Sequence, residues 1–210
     1  MTTRVLLATG NQGKLVELRD VLHEARLDVE VLGLADVPEG PEPVESARTF
    51  EGNALIKARE WAHRTGLPVL ADDSGIAVGA LNGSPGVRSA RWAGPDGDDE
   101  ANLTLLMRQI SDVSEGRRDA AFVCAMALVL PDGSEHVVVR EWPGRVALER
   151  RGANGFGYDP IFIPAGHQVT SAELSPEEKN AISHRGQAVR AMIPVLVETL
   201  GLAPEGEELD

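Results

Sequence analysis

The chain has 210 residues, 42% of them hydrophobic and 25% charged, which is a globular rather than a disordered composition. Its formal net charge of −13, from 33 acidic and 20 basic residues, disfavours a nucleic-acid polymer or an anionic membrane as partner. The same charge welcomes a divalent cation and leaves room for a small anion in a local basic pocket.

The first strand is expected over Arg4–Ala8, followed by the polar turn Thr9–Gly13. From Lys14, the apolar residues Leu15, Leu18, Val21, Leu22 and Ala25 recur at helical spacing. A second strand is expected over Val29–Leu32, and the Pro- and Gly-rich DVPEGPEPVESA reads as loop. Thr49–Thr65 is a helix with Phe50, Ala54, Ala58 and Ala62 on one stripe. Val69–Ala71 reads as a buried strand, ending at two adjacent acids, Asp72 and Asp73. The glycine-rich stretch after them reads as irregular, with a short hairpin. Asp98–Ile110 is a further helix. Ala120–Leu130 and His136–Trp142 read as strands joined by the turn PDGS, with another strand over Gly144–Leu148. The single cysteine, Cys124, lies in the first of these apolar runs and reads as packing rather than as a catalytic thiol. RRGANGFGYDPIF is a long loop. Ser175-Pro176-Glu177-Glu178 is a helix start with a capping box, and Ala188–Leu200 is the last helix. Residues 201–210 form an acidic tail.

This order predicts an α/β fold built on a mixed sheet with flanking helices, in one domain over residues 1–200, with two lobes around a central cleft. No apolar run approaches a membrane span, and the N-terminus lacks a signal-like segment. One cysteine suits a reducing compartment. A cytoplasmic protein without membrane contact is expected.

Four stretches carry candidate chemistry. In TGNQGK (Thr9, Gly10, Asn11, Gln12, Gly13, Lys14), a strand-to-helix turn offers backbone N–H groups and a positive dipole end to phosphate, or simply caps a helix. In ADDSG, two carboxylates can hold Mg²⁺ or activate water. Ser74 can donate to a phosphate, and Gly75 lets the backbone approach it. Glu45 can supply a third oxygen, and Lys57 a charge, although each also suits a solvated surface. In GFGYDP, Phe156 or Tyr158 can stack a base that Asp159 hydrogen-bonds. In EEKNAISHRGQA, Lys179, His184 and Arg185 form a cationic end in an acidic protein, with Gly186 suggesting a junction between helices.

The blocks LLATGNQGK, TFEGNALIKA, VLADDSGIAV, GSPGVRSARWAG, GFGYDPIF and AELSPEEKNAISHRGQA, in this order over about Val5–Leu200, resemble the inosine triphosphate pyrophosphatase family. The resemblance implies Mg²⁺-dependent hydrolysis of ITP, dITP and XTP to monophosphate and pyrophosphate by a homodimer. It implies that Thr9–Lys14 bind the triphosphate, and that Glu45 and Asp73 ligate metal. Asp73 would also be the proton acceptor, with Asp72 a further ligand or a tuning group. Ser74, Lys57, Phe156, Gly157, Tyr158, Asp159, Lys179, His184 and Arg185 would contact the nucleotide. Some members carry a second acid in place of Gly52, which leaves Glu51 and Asn53 as helpers of open role. Two alternatives stand beside this reading. One is a pyrophosphatase of the septum-inhibitor type acting on pyrimidine nucleotides, and the other is a non-catalytic nucleotide sensor.

Overall fold

The computed structural model describes residues 3–202; of the expected acidic tail, residues 203–210 lie outside the described residues. In chain order the elements are β1 (Thr3–Leu7), α1 (Gln12–Glu24), β2 (Val29–Leu32), α2 (Phe50–Thr65), β3 (Val69–Val78), α3 (Asp99–Gln109), β4 (Asp119–Val129), β5 (Glu135–Val146), β6 (Phe162–Pro164), α4 (Pro176–Ile182) and α5 (His184–Leu200). Six strands pair in the order β2-β1-β3-β4-β5-β6. β1 is parallel to β2 and to β3, whereas β5 and β6 are antiparallel, so the sheet is mixed as the sequence predicts.

The chain forms two compact units. The first contains the described residues up to Asp73, Ala125–Val139 and the chain from Ala188 on. Its core gathers Leu6, Val69, Ala71, Ala125 and Ala127 from the strands with Ala54, Ala58, Trp61 and Ala62 from α2. The small α2 residues let that helix lie close to the strands. Thr49 caps α2 by accepting from the Gly52 N–H at 3.1 Å, and Gly66, at φ 65°, ends it in the left-handed conformation that glycine favours. The second unit contains Ser74–Cys124 and Arg140–Gln187. Its core joins Leu103 and Leu106 of α3, and Ile110 just after it, to Phe122, Trp142, Phe162 and Tyr158.

Three elements differ from expectation. β3 does not stop at Ala71 but continues through both aspartates to Val78. The DDSG composition reads as a turn, yet Asp72 and Asp73 are paired inside the molecule, so extended backbone tolerates them. β5 is one strand rather than two, because Pro143 and Gly144 stay extended beside β6. Gly144 is needed there, since a Cβ would stand 2.3 Å from the Ile163 carbonyl oxygen. α5 begins at His184, four residues before the apolar periodicity does.

Candidate active site

The first unit collects one charged group. β3 carries Asp72 and Asp73, 3% and 8% exposed. The Lys14 ammonium, in the first turn of α1, donates to both Asp72 oxygens at 2.9 and 2.7 Å. Lys57, on α2, donates to Glu45 at 2.8 Å. Asn53, one turn earlier on α2, donates to Asp73 at 2.9 Å. The chain is exposed from Gly10 to Gly13, where the turn enters α1. Here Asn11 acts as a cap, its side-chain oxygen accepting from the Gly13 and Lys14 N–H groups at 2.8 and 3.3 Å. The Thr9 hydroxyl accepts from the Asn11 N–H at 3.2 Å. The turn is thus preorganised at a helix N-terminus, the place where phosphate is favoured.

Electrostatics mark Asp73 out. Burial lifts its carboxyl above the ordinary range. Lys57 and the Asn53 hydrogen bond oppose the rise, while the charges of Glu45 and Asp72 add to it. Burial works against the Lys57 charge, but Asp72, Glu45 and Asp73 together outweigh it and hold the ammonium above its usual value. Glu45, Asp72 and Asp73 supply oxygen donors only, the set a hard cation prefers. Their mutual repulsion is one that such a cation relieves. Among the described residues, however, no three His, Cys, Asp or Glu side chains stand together as a ready metal cage. The lysines hold two of these carboxylates instead.

The second unit collects the other group. Gly155 and Gly157 have φ of 75° and 59°, and a Cβ on Gly155 would lie 2.0 Å from Asp159. The Phe156 N–H donates to Asp159 at 2.9 Å, and the Gly157 N–H donates to Asp99 at 3.0 Å. This tight loop leaves the Phe156 ring exposed and sends Tyr158 inward, 54% and 5% exposed. The Tyr158 hydroxyl donates to the Ser89 carbonyl at 2.8 Å. Burial, then the Asp99 charge, push that phenol well above its ordinary value, so it stays protonated. Asp159 is buried, accepting from the Ser171 hydroxyl at 2.8 Å and from Lys179. Lys179 and Arg185 lie over the Phe156 ring, 5.3 and 5.8 Å from its centre. Arg185 also donates to the Ser74 hydroxyl at 3.1 Å. His184 stacks on Phe122 at 4.9 Å and 6°.

Comparison with known proteins gives the family. The Ham1 family model matches residues 5–195. The chain belongs to the Ham1 family. It is 56% identical over 200 residues to a Cutibacterium acnes protein named dITP/XTP pyrophosphatase, covering 94% of this chain and 98% of that one. Among solved structures, the nucleoside-triphosphatase / dITP/XTP pyrophosphatase of Mycobacterium abscessus is 55% identical, with a TM-score of 0.78 over 91% of this chain and 100% of that one. The Ham1 protein of Staphylococcus aureus is 36% identical, with a TM-score of 0.85 over 94% and 100%.

Within this Ham1 chain the first unit brings together Lys14, Glu45, Lys57, Asp72 and Asp73. The second brings together Ser74, Phe156, Lys179 and Arg185. Asp159 holds the 155–159 loop by accepting from the Phe156 N–H, whereas the Tyr158 hydroxyl ties the loop to the Ser89 carbonyl. Gly75 has a packing reason: a Cβ would stand 2.3 Å from the Ser89 hydroxyl and 2.6 Å from the Gly86 carbonyl. Sequence reasoning missed Ser89, which accepts from the Ile76 N–H at 2.9 Å, and Asp99, which reads as an ordinary helix-start acid. Asn53 was singled out only as a helper of open role, through the departure from the family pattern at Gly52.

Proposed function

We propose that this chain hydrolyses dITP, XTP and ITP to the monophosphate and pyrophosphate, with Mg²⁺. One observation supports the reading most: Asp73, a buried carboxylate with a raised pKa, stands among Glu45, Asp72 and Lys57 beside a helix-N-terminal turn. Glu45 and Asp73 would hold the cation, with Asp72 beside them, and Mg²⁺ when bound would offset phosphate charge and polarise the phosphorus–oxygen bonds. Asp73 takes the proton of the attacking water, and its raised pKa brings it nearer the working pH of a general base. The water oxygen bonds to phosphorus, the bridging oxygen leaves with the electron pair, and pyrophosphate departs. Lys14 and Lys57 release their carboxylates and turn to the phosphates, whose charge grows on the leaving oxygen. In the second unit Phe156 stacks the purine, with Lys179 and Arg185 at its edge. Donors there favour a 6-oxo group, while the 6-amino group of adenine would leave a buried donor unmatched.

The same family reading extends to a cytoplasmic homodimer, which sedimentation checks. The deciding experiment incubates the protein and Mg²⁺ with dITP, XTP, dATP, dGTP and dTTP and identifies the products. Preferred turnover of dITP and XTP with release of pyrophosphate is expected. Orthophosphate as the product overturns the reaction, preference for dTTP favours the septum-inhibitor type, and tight dITP binding without turnover favours a sensor.

A further inference from the structure

We infer that Asn53 is a positioning residue, fixing the Asp73 carboxylate and the Glu45 loop relative to each other for the divalent cation. The inference rests on the metal-dependent reading above. Asn is a mediocre helix former, and burying its amide is costly unless both ends are bonded. Asn53 is nonetheless fully buried inside α2, at 0% exposure. Its oxygen accepts from the Ala47 N–H at 2.9 Å, and its nitrogen donates to Asp73 at 2.9 Å. These partners fix the amide's orientation, because a backbone N–H only donates and an ionised carboxylate only accepts.

Ala47 is two residues beyond Glu45, in a Pro- and Gly-rich loop without regular structure. Two neighbours on α2 grip the same loop. A Cβ on Gly52 would stand 2.6 Å from the Ala47 Cβ, so the loop packs on a bare Cα. Lys57, one helical turn after Asn53 and on the same face, bonds Glu45. One carboxylate of the donor set comes from this loop and another from β3, and Asn53 hydrogen-bonds both segments. Other side chains fail for separate reasons. Asp would set a second carboxylate against Asp73, Gln carries an extra methylene, and Leu or Ala gives up both bonds.

The test compares the native protein with Asn53→Leu, which keeps the bulk and the helix. Mg²⁺ is titrated calorimetrically into each without nucleotide, kcat and KM are measured with dITP, and melting is followed in chelator. Groups behind metal ligands typically change affinity or activity by roughly 10–100-fold, and a loss of that order in both Mg²⁺ affinity and kcat is expected. In the native protein the assigned Asn53 side-chain amide signals should shift on Mg²⁺ saturation, which decides the matter if the variant does not fold. Unchanged Mg²⁺ affinity in a folded Asn53→Leu, or unmoved amide signals in the native protein, overturns the inference and leaves the proposed reaction standing. Native protein that takes up no Mg²⁺ overturns both this inference and the metal dependence; native protein that fails to hydrolyse dITP overturns the reaction itself.

Discussion

Asp73 holds its proton more tightly in the folded chain than an ordinary aspartate does, because burial raises its carboxyl above the usual 3.8. The native state therefore binds more protons than the unfolded chain between the ordinary value and the raised one. Stability is greatest with the acid protonated, falls as pH rises through that interval and stays lowered above it. Asp73→Asn removes the buried charge and keeps an acceptor for Asn53. In chelator near neutral pH, the variant should melt above the parent, and the gap should close as pH falls below the ordinary aspartate value. Its turnover should drop by roughly 10²–10⁴-fold, the usual worth of a general base. Near-normal turnover would take Asp73 out of the chemistry. A variant that melts below the parent at neutral pH would contradict the sign of the shift. The acid pair stood out in the sequence as a candidate site, because a turn needs only one aspartate. Its partners were not legible, because Lys14 and Asp72 are 58 residues apart and only the fold brings them together.

At the scale of elements, the helices were the most readable. α2 and α3 carry apolar stripes and caps, and α4 carries the box SPEE, in which Ser175 accepts from the Glu178 N–H at 3.2 Å and Glu178 accepts from the Ser175 N–H at 2.8 Å. The strands were misjudged where composition imitates a break: DDSG inside β3 and Pro143-Gly144 inside β5. In both places a close tertiary contact, rather than propensity, keeps the backbone extended. Gly75 shows how tight that contact is, with the Ser89 side chain and the Gly86 carbonyl where its Cβ would go. Gly75→Ala should destabilise by about 1–3 kcal/mol, as overpacking does, measured by chemical denaturation. Ser89→Ala in the same chain should restore only part of this, because the Gly86 carbonyl remains. A stability equal to the parent in Gly75→Ala would mean that β3 does not pack as described. Ser175→Ala should cost about 1 kcal/mol through the lost cap. It should also raise KM for dITP more than it lowers kcat, since α4 carries Lys179 and none of the groups assigned to the water or the metal.

For the whole molecule, the α/β class and mixed sheet could be read from the order of elements. Two lobes were expected as well, but which residues form each unit was not legible, because neither is a continuous stretch of sequence. β3 passes from the first unit to the second between Asp73 and Ser74, β4 passes back between Cys124 and Ala125, β5 crosses between Val139 and Arg140, and α5 crosses between Gln187 and Ala188. Each unit has its own core, yet neither can unfold without breaking four elements that the other also needs. We therefore expect residues 1–200 to behave as one cooperative domain. Trp61 reports on the first core, whereas Trp142 reports on the second. Variants that retain a single tryptophan, one at position 61 and one at 142, should give coincident denaturation midpoints. Both midpoints should also match the loss of far-ultraviolet ellipticity, the usual test of a two-state transition. Separated midpoints would show that each core holds together without the other, despite the strands and helix they share.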